Sequence, residues 1–283
     1  MYTGRFAPSP SGPLHMGSLI AGLASWLDAR AAGGRWLVRI EDLDRPRCVP
    51  GADEKILRAL EHLGLAWDGD VVYQSERLHL YHGALEKLAT QTYWCGCTRR
   101  EIADSSFSLA VDGAPIYPGT CRDGARRDGR ALRVRTTSAP VRFIDRVQGA
   151  HAQLLERDIG DFVLYRADGL FAYQLAVVVD DAAQAVTDVV RGADLLDSTP
   201  RQMYLQRLLG LSTPRYLHVP VALDAAGEKL SKQTGAAPIE ASPGALAQAL
   251  RFLGQPPAAT LDEAVRQWNP ELISRRRAQA LAP

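Results

Sequence analysis

Strand-like and helix-like segments alternate at the start of the chain, and this order most constrains its fold. A short strand-like segment over residues 2–7 leads into a turn rich in proline and glycine, and a helical segment follows over residues 14–32. Residues 36–40 have a buried-strand pattern, and helical spacing returns over residues 53–63, before Gly64. This order predicts an α/β protein with a parallel sheet of the nucleotide-binding, Rossmann-like type.

Composition narrows the class of protein further. The chain has 283 residues, of which 46% are hydrophobic, and its 33 Lys and Arg nearly balance 32 Asp and Glu. This near-zero charge argues against a general polyanion binder. The N-terminus has no signal-peptide pattern, no apolar run approaches the ~18 residues of a membrane span, and four cysteines do not make a disulfide framework. We therefore expect a cytoplasmic enzyme with no membrane partner.

A stretch rich in Gly, Arg, Asp and Cys interrupts the α/β pattern after residue 90 and has little periodicity. We interpret it as an insertion in a catalytic domain. The predicted division is residues 1–90 for the first half of that domain, 91–168 for the insertion, 169–240 for the second half, and 241–283 for a short helical tail.

The turn after the first strand reads Arg5-Phe-Ala-Pro-Ser-Pro-Ser-Gly-Pro-Leu-His-Met-Gly-Ser18. Gly17 lets a ligand approach the first turn of the helix, where free N–H groups and the helix dipole favour phosphate. His15 can donate a hydrogen bond to an anion. Taken alone, the same residues also fit a rigid strand–helix turn with a capping histidine.

Lysine is scarce in this chain and occurs only at positions 55, 87, 229 and 232. Two of these residues fall in the short segment Glu228-Lys-Leu-Ser-Lys-Gln233. Ammonium groups three residues apart on a mobile loop suit a polyphosphate, and a compact point charge differs chemically from the planar fork of arginine. A solvated turn is the alternative interpretation.

Together the two segments resemble the His-Ile-Gly-His and Lys-Met-Ser-Lys-Ser signatures of class I aminoacyl-tRNA synthetases. The closer resemblance is to glutamyl-tRNA synthetase, with Ser18 and Gln233 as the two departures from the signatures. It rests on blocks that follow one another in the family's order: Arg5 to Gly12, Arg39-Ile-Glu-Asp-Leu-Asp44, Tyr173 to Asp181, Arg191 to Pro200, and the lysine segment.

The resemblance implies a ligase that joins glutamate to ATP, forming glutamyl-adenylate and pyrophosphate, with Mg²⁺ accompanying ATP. It implies a glutamate site formed by Arg5, Phe6, Ala7, Pro8, Ser9, Glu41, Tyr173 and Arg191. It implies an ATP site formed by His15, Gly17, Ser18 and Lys232, and a catalytic set of His15, Ser18, Lys229 and Lys232. Arginine forks for carboxylates and one acceptor for the ammonium group agree with the charges of glutamate.

Three cysteines lie in the insertion as a Cys95-Gly-Cys97 pair and Cys121. Three thiolates suit one structural Zn²⁺, which needs a fourth ligand. The spacing resembles the zinc site of a truncated glutamyl-tRNA synthetase paralogue in which a tyrosine completes the set, and Tyr117 matches that position. Water or Asp123 remain alternatives as the fourth ligand.

The chain continues for only 51 residues after Lys232 (283 − 232). A full glutamyl-tRNA synthetase continues into a long anticodon-binding region, so the resemblance favours the truncated paralogue. It implies activation of glutamate without tRNA, then transfer to the queuosine base in the anticodon stem-loop of tRNA(Asp). We expect the protein to be a monomer. The alternatives are a glutamate activator with a different, non-tRNA acceptor, and an inactive RNA-binding module.

Arginines beside the cysteines are candidate contacts to an RNA backbone. The alternative is a solvated loop whose charge is balanced by nearby aspartates. The candidates are Arg122, Arg126, Arg127, Arg130, Arg133 and Arg135.

Overall fold

A parallel three-stranded sheet begins the protein. The structure, a computed structural model, describes residues 1–106, 108–110, 113–125, 127–224, 226–230 and 238–281. Strand order is β1-β2-β3, and helix α1 connects the first two strands. The bounds are β1 Thr3–Phe6, α1 Met16–Ala31, β2 Arg35–Ile40, α2 Ala52–His62, β3 Val72–Tyr73 and α3 Leu78–Lys87. The predicted strand–helix–strand–helix order is confirmed.

A second parallel pair lies beside β1. The Thr187 amide, just before the first strand of this pair, donates to the carbonyl oxygen of Thr3 in β1 at 2.9 Å. Helix α6 precedes this pair, and α7 connects its two strands. The bounds are α6 Tyr173–Ala183, β9 Asp188–Gly192, α7 Thr199–Leu208 and β10 Arg215–Val219. The ends of these strands open toward one cavity.

Antiparallel structure fills the region between the two parallel units. Strands β4, β5 and β8 form one sheet, and β6 pairs with β7 in a hairpin. The bounds are β4 Thr92–Cys95, α4 Arg99–Ser105, β5 Ala131–Val134, β6 Val141–Asp145, β7 Gly149–Gln153, α5 Leu155–Asp158 and β8 Val163–Tyr165. These elements lie within the insertion predicted over residues 91–168, whose exact boundaries stay a prediction.

The tail packs back on the first helix. Its helices are α8 Pro243–Phe252 and α9 Leu261–Gln267, and its last strand, β12 Ala278–Ala280, pairs in parallel with β11 Val221–Leu223. The sequence pattern did not indicate this strand. Two large buried apolar clusters form most of the core, one around α1 and one around α6, and a small third cluster surrounds Cys95 and Cys121 in the insertion.

A buried carboxylate ties the tail to the start of the chain. Asp28 accepts hydrogen bonds from Tyr2 Oη at 2.5 Å, from Arg146 Nη2 at 2.9 Å and from Trp268 Nε1 at 2.9 Å. Because these donors converge on one buried carboxylate, removal of Asp28 would leave the buried Tyr2 hydroxyl without its acceptor and Arg146 without its nearest carboxylate. None of the described helices is long and apolar enough to cross a membrane.

Candidate active site

A cavity of about 530 Å³ opens where the two parallel units meet, a size typical of small-molecule sites. Residues predicted from separate sequence blocks line it together: Arg5, Phe6, Ala7, Ser9, His15, Gly17, Ser18, Glu41, Tyr173, Arg191 and Lys229. Pro8 is the exception, and its carbonyl oxygen instead accepts a hydrogen bond from the Glu41 amide at 3.0 Å. The turn therefore positions Glu41 through its backbone.

The start of α1 forms one end of the cavity, where the helix N-terminus suits an anion such as phosphate. His15 is the N-cap, and its Nδ1 accepts a hydrogen bond from the Ser18 amide at 3.3 Å. This bond leaves a proton on Nε2 of the neutral ring, so the side chain is a donor there. A Cβ atom on Gly17 would lie 3.1 Å from the carbonyl oxygen of Leu230, so glycine permits the lysine segment to approach the helix.

Buried charges surround the opposite end. Arg5 Nε donates to Asp181 Oδ1 at 3.1 Å, and Arg39 Nη2 lies 2.8 Å from the same oxygen. Burial acts to raise the pKa of Asp181, but Arg5 and Arg39 hold it below its ordinary value. Arg39 Nη2 also contacts Glu41 Oε1 at 3.3 Å, and burial raises the pKa of Glu41. A cationic ligand group beside Glu41 would favour its ionised form.

Arg191 and Tyr173 face each other across this end of the cavity. Arg191 is 5% exposed, and its Nη1 donates to Tyr173 Oη at 3.3 Å. Burial raises the pKa of Tyr173, so the phenol keeps its proton at neutral pH. The pair presents one cation and one hydroxyl to a ligand carboxylate.

The described part of the lysine segment also reaches the cavity. Lys229 Nζ forms an ion pair with Asp194 Oδ2 at 2.7 Å, and the Leu230 amide donates to the carbonyl oxygen of Ala222 at 2.9 Å. Lys232, predicted to contact ATP, lies outside the described residues. Its role stays a prediction.

Several lining residues were missed from the sequence. Arg166 Nη1 pairs with Asp44 Oδ2 at 3.1 Å on the cavity wall, and Arg47, Leu170 and Phe171 lie on the same wall. Asp44 does end the Arg39–Asp44 block, but no signal in the sequence connects it with Arg166, which is 122 residues away.

The three cysteines of the insertion converge. The sulfur atoms of Cys95, Cys97 and Cys121 lie within 4.8 Å of one another and could hold a metal ion. Tyr117 Oη lies 3.4 Å from the Cys95 sulfur and 3.9 Å from the Cys97 sulfur, and accepts a hydrogen bond from the Cys121 amide at 2.8 Å. Three sulfurs and one oxygen thus face a common centre, which is a donor set compatible with a soft divalent metal.

Most of the arginines proposed to face RNA bind within the protein. Arg122 pairs with Asp161 and Glu156, Arg135 Nη2 donates to the carbonyl oxygen of Arg122, and Arg127 pairs with Glu101. Arg133 is buried, with its guanidinium 3.8 Å from the centre of the Tyr117 ring. Arg130 is exposed, and Arg126 lies outside the described residues. The hypothesis is wrong for Arg133, because burial in strand β5 removes its side chain from solvent.

Comparisons with known proteins agree with this arrangement. Residues 2–267 match the family model of the catalytic domain of class I tRNA synthetases (E and Q). The chain is 60% identical to a glutamyl-Q tRNA(Asp) synthetase of Dechloromonas aromatica, with 90% of this chain and 86% of that protein covered. It is 54% identical to the protein of that name from Pseudomonas paraeruginosa, with 97% and 96% covered.

A solved structure has the same fold. The glutamate tRNA ligase of Elizabethkingia meningosepticum, in complex with its amino acid, superposes with a TM-score of 0.80 at 23% identity, covering 99% of this chain and 67% of that one. The family match over nearly the whole chain and the relatives at 54–60% identity lead to one conclusion. The chain belongs to the class I tRNA synthetase (E and Q) family, together with the relatives named glutamyl-Q tRNA(Asp) synthetase.

Proposed function

We propose that this protein activates glutamate with ATP in the absence of tRNA, and then transfers it to the queuosine base in the anticodon stem-loop of tRNA(Asp). The observation that carries the proposal is that each matched block of the chain contributes residues to one cavity. The lysine segment contributes through Lys229, because Lys232 lies outside the described residues. The names of the relatives support the acceptor. On this proposal the enzyme is a cytoplasmic monomer.

Glutamate fits the buried-charge end of the cavity. The side-chain carboxylate of glutamate pairs with Arg191 and also with Arg5. The hydroxyl of Tyr173 donates a hydrogen bond to the same carboxylate. The ammonium group of glutamate binds Glu41, whose carboxylate is aligned by Arg39 and whose backbone N–H donates a hydrogen bond to the carbonyl oxygen of Pro8. Phe6, Ala7 and Ser9 complete the wall, and Pro8 acts through its carbonyl oxygen.

ATP lies across the start of α1. His15 donates from Nε2 to the phosphates, Gly17 leaves the backbone open to them, and Ser18 and the helix N-terminus stabilise their charge. Mg²⁺, when bound to the phosphate oxygens, neutralises part of that charge. Lys229 and Lys232 supply positive charge as pyrophosphate develops.

The chemistry needs no side-chain nucleophile. An oxygen of the glutamate α-carboxylate attacks the α-phosphorus of ATP in line, its bond to that phosphorus forms, and the bond to the pyrophosphate oxygen breaks. The protein accelerates this step by alignment and by charge stabilisation. A hydroxyl of the queuosine ring then attacks the carbonyl carbon of the adenylate and AMP leaves.

Zn²⁺ is the structural metal that fits the cysteine cluster. Cys95, Cys97 and Cys121 would hold it, with Tyr117 as the fourth ligand. The guanidinium of Arg133 over the Tyr117 ring supports this choice, because a nearby cation stabilises a phenolate. The metal would connect β4 to the segment that carries Cys121, and takes no part in the reaction.

A transfer assay tests the proposal. Purified protein is incubated with ATP, labelled glutamate and either queuosine-containing or unmodified tRNA(Asp), and ATP–pyrophosphate exchange is measured in parallel. We expect exchange without tRNA and label only in the modified tRNA. Exchange without transfer would favour a different acceptor, and absence of both would favour the inactive RNA-binding module.

A further inference from the structure

All three nitrogen atoms of Arg191 have hydrogen-bond partners within the protein. Its Nε donates to His218 Nε2 at 3.0 Å, and its Nη2 donates to Thr199 Oγ1 at 2.9 Å and lies 3.4 Å from the carbonyl oxygen of Leu195. The remaining Nη1 reaches Tyr173 Oη on the cavity side. Both Arg191 and His218 are buried. These hydrogen bonds therefore fix the orientation of the guanidinium plane.

Asp145 fixes the tautomer of the histidine that holds Arg191. Its Oδ2 lies 2.6 Å from His218 Nδ1, while its Oδ1 accepts hydrogen bonds from the amides of Val147, Gln148 and His218. A carboxylate is only an acceptor, so the proton of the ring must be on Nδ1. Nε2 is then an acceptor, which is what the Nε–H of Arg191 needs, and Thr199 Oγ1 lies 3.3 Å from the same nitrogen.

The histidine is also neutral. It is 0% exposed, and burial, reinforced by the charge of Arg191, lowers its pKa to about 4 despite the hydrogen bond to Asp145. At neutral pH the ring therefore holds Arg191 without adding a charge of its own. This property agrees with the geometry, in which a protonated ring would turn an N–H toward an N–H.

Arg5 and Arg191 both line the cavity, but they differ in how far the protein itself compensates their charge. Arg5 is paired through two nitrogens with the Asp181 carboxylate, at 3.1 and 3.4 Å, so much of its charge is compensated inside the protein. Within the described residues, no carboxylate oxygen lies within 4.0 Å of a nitrogen of Arg191. Its positive charge is thus left for a ligand in a site of low dielectric.

We propose that Asp145 and His218 are positioning residues that present an uncompensated Arg191 to the side-chain carboxylate of the substrate, and so favour glutamate over its neutral amide, glutamine. The inference rests on the proposed function, because it takes glutamate as the ligand at Arg191. Neither residue touches the ligand. They act by fixing the direction and preserving the charge of the group that does.

Three variants separate positioning from simple stability. His218→Leu removes the acceptor, while His218→Gln keeps a neutral side chain with one donor and one acceptor. In Asp145→Asn, the amide oxygen keeps the backbone hydrogen bonds and the amide nitrogen turns toward Nδ1. The proton of the ring is then forced onto Nε2, where it opposes the Nε–H of Arg191.

The readout is ATP–pyrophosphate exchange with glutamate and ATP varied separately. Loss of a charge-assisted hydrogen bond predicts that His218→Leu and Asp145→Asn raise KM for glutamate by about 10- to 100-fold. KM for ATP should stay within about twofold, and His218→Gln should raise KM for glutamate less than about fivefold. The preference for glutamate over glutamine, measured as the ratio of kcat/KM, should fall in the same order.

Asp161→Asn is the matched control, because Asp161 is a buried carboxylate of the insertion that accepts hydrogen bonds from Thr136 and Tyr93. It should lose stability with no change in KM for glutamate. An unchanged KM in Asp145→Asn and His218→Leu, or an equal rise for both substrates, would overturn the positioning role. No exchange by the wild-type protein would instead overturn the proposed function.

Discussion

The neutral state of His218 predicts a specific loss of stability in acid. In the unfolded chain the ring has an ordinary pKa of 6.5, and in the folded protein burial lowers it to about 4. Between these values the unfolded state binds more protons, so this contribution to stability is fully present above pH 6.5 and decreases as the pH falls toward 4. Asp145, Arg191, Thr199 and the Tyr216 ring face the imidazole.

The magnitude follows from the two values. Going from pH 7.5 to pH 5, this one group lowers the free energy of unfolding by about 2 kcal/mol. Burial opposes ionisation of Asp145, but its hydrogen bonds with His218 and two amides hold its pKa below the ordinary value, so it stays charged at pH 5. His218→Gln has no such titration.

The assay is urea unfolding of the wild type and His218→Gln at pH 7.5 and pH 5. The other five histidines are common to both proteins, so their effects cancel in the difference. We expect the variant to gain about 2 kcal/mol relative to the wild type at the lower pH. A difference independent of pH would mean that the ring is not held neutral, and would refute the account of the tautomer.

The remaining predictions concern the substrates and the metal. Glu41→Gln should raise KM for glutamate about tenfold, since a charged partner of the ammonium group is lost; unchanged saturation by glutamate would count against the proposed pocket. Lys232→Ala should slow adenylate formation about 100-fold, and a rate near that of the wild type would remove its proposed role. Metal analysis should find about one zinc per chain, reduced in Cys121→Ser, whereas protein without zinc would leave the cysteines as thiols.

Local signals in the sequence predicted the first two strands, the first two helices and the helical tail, but not the elements of the insertion. The tail helices α8 and α9 begin at or next to residues with clear start signals, because Ser242 and Thr260 each accept a hydrogen bond from an amide in the first turn. The first helix begins at Met16, two residues after the predicted start at residue 14, with His15 as its cap. In each case the capping residue and the helix that it starts lie within a few residues of each other, so the sequence alone can indicate the helix.

Long-range partners could not be predicted in the same way. Asp145 and His218 are 73 residues apart, and they meet only because strand β6 lies beside β10. Neither residue belongs to a motif. Arg133 shows the converse error, because an arginine in a charge-rich segment suggests an exposed side chain, whereas both faces of β5 are covered and Arg133 is buried together with Leu132 and Val134. Strand β12 has only three residues of weak strand preference, and its partner alone makes it a strand.

The pairing of β12 with β11 has a consequence for folding during synthesis. The Leu281 amide donates to the carbonyl oxygen of Leu223, and the Val221 amide donates to that of Arg277, so β11 is completed by residues made more than 50 positions later. The turn that carries Lys229 extends directly from β11. On the ribosome the first parallel unit can form early, since chains fold from the N-terminus as they emerge. The strand from which the Lys229 turn extends is therefore fully paired only when residues 277–281 have left the exit tunnel.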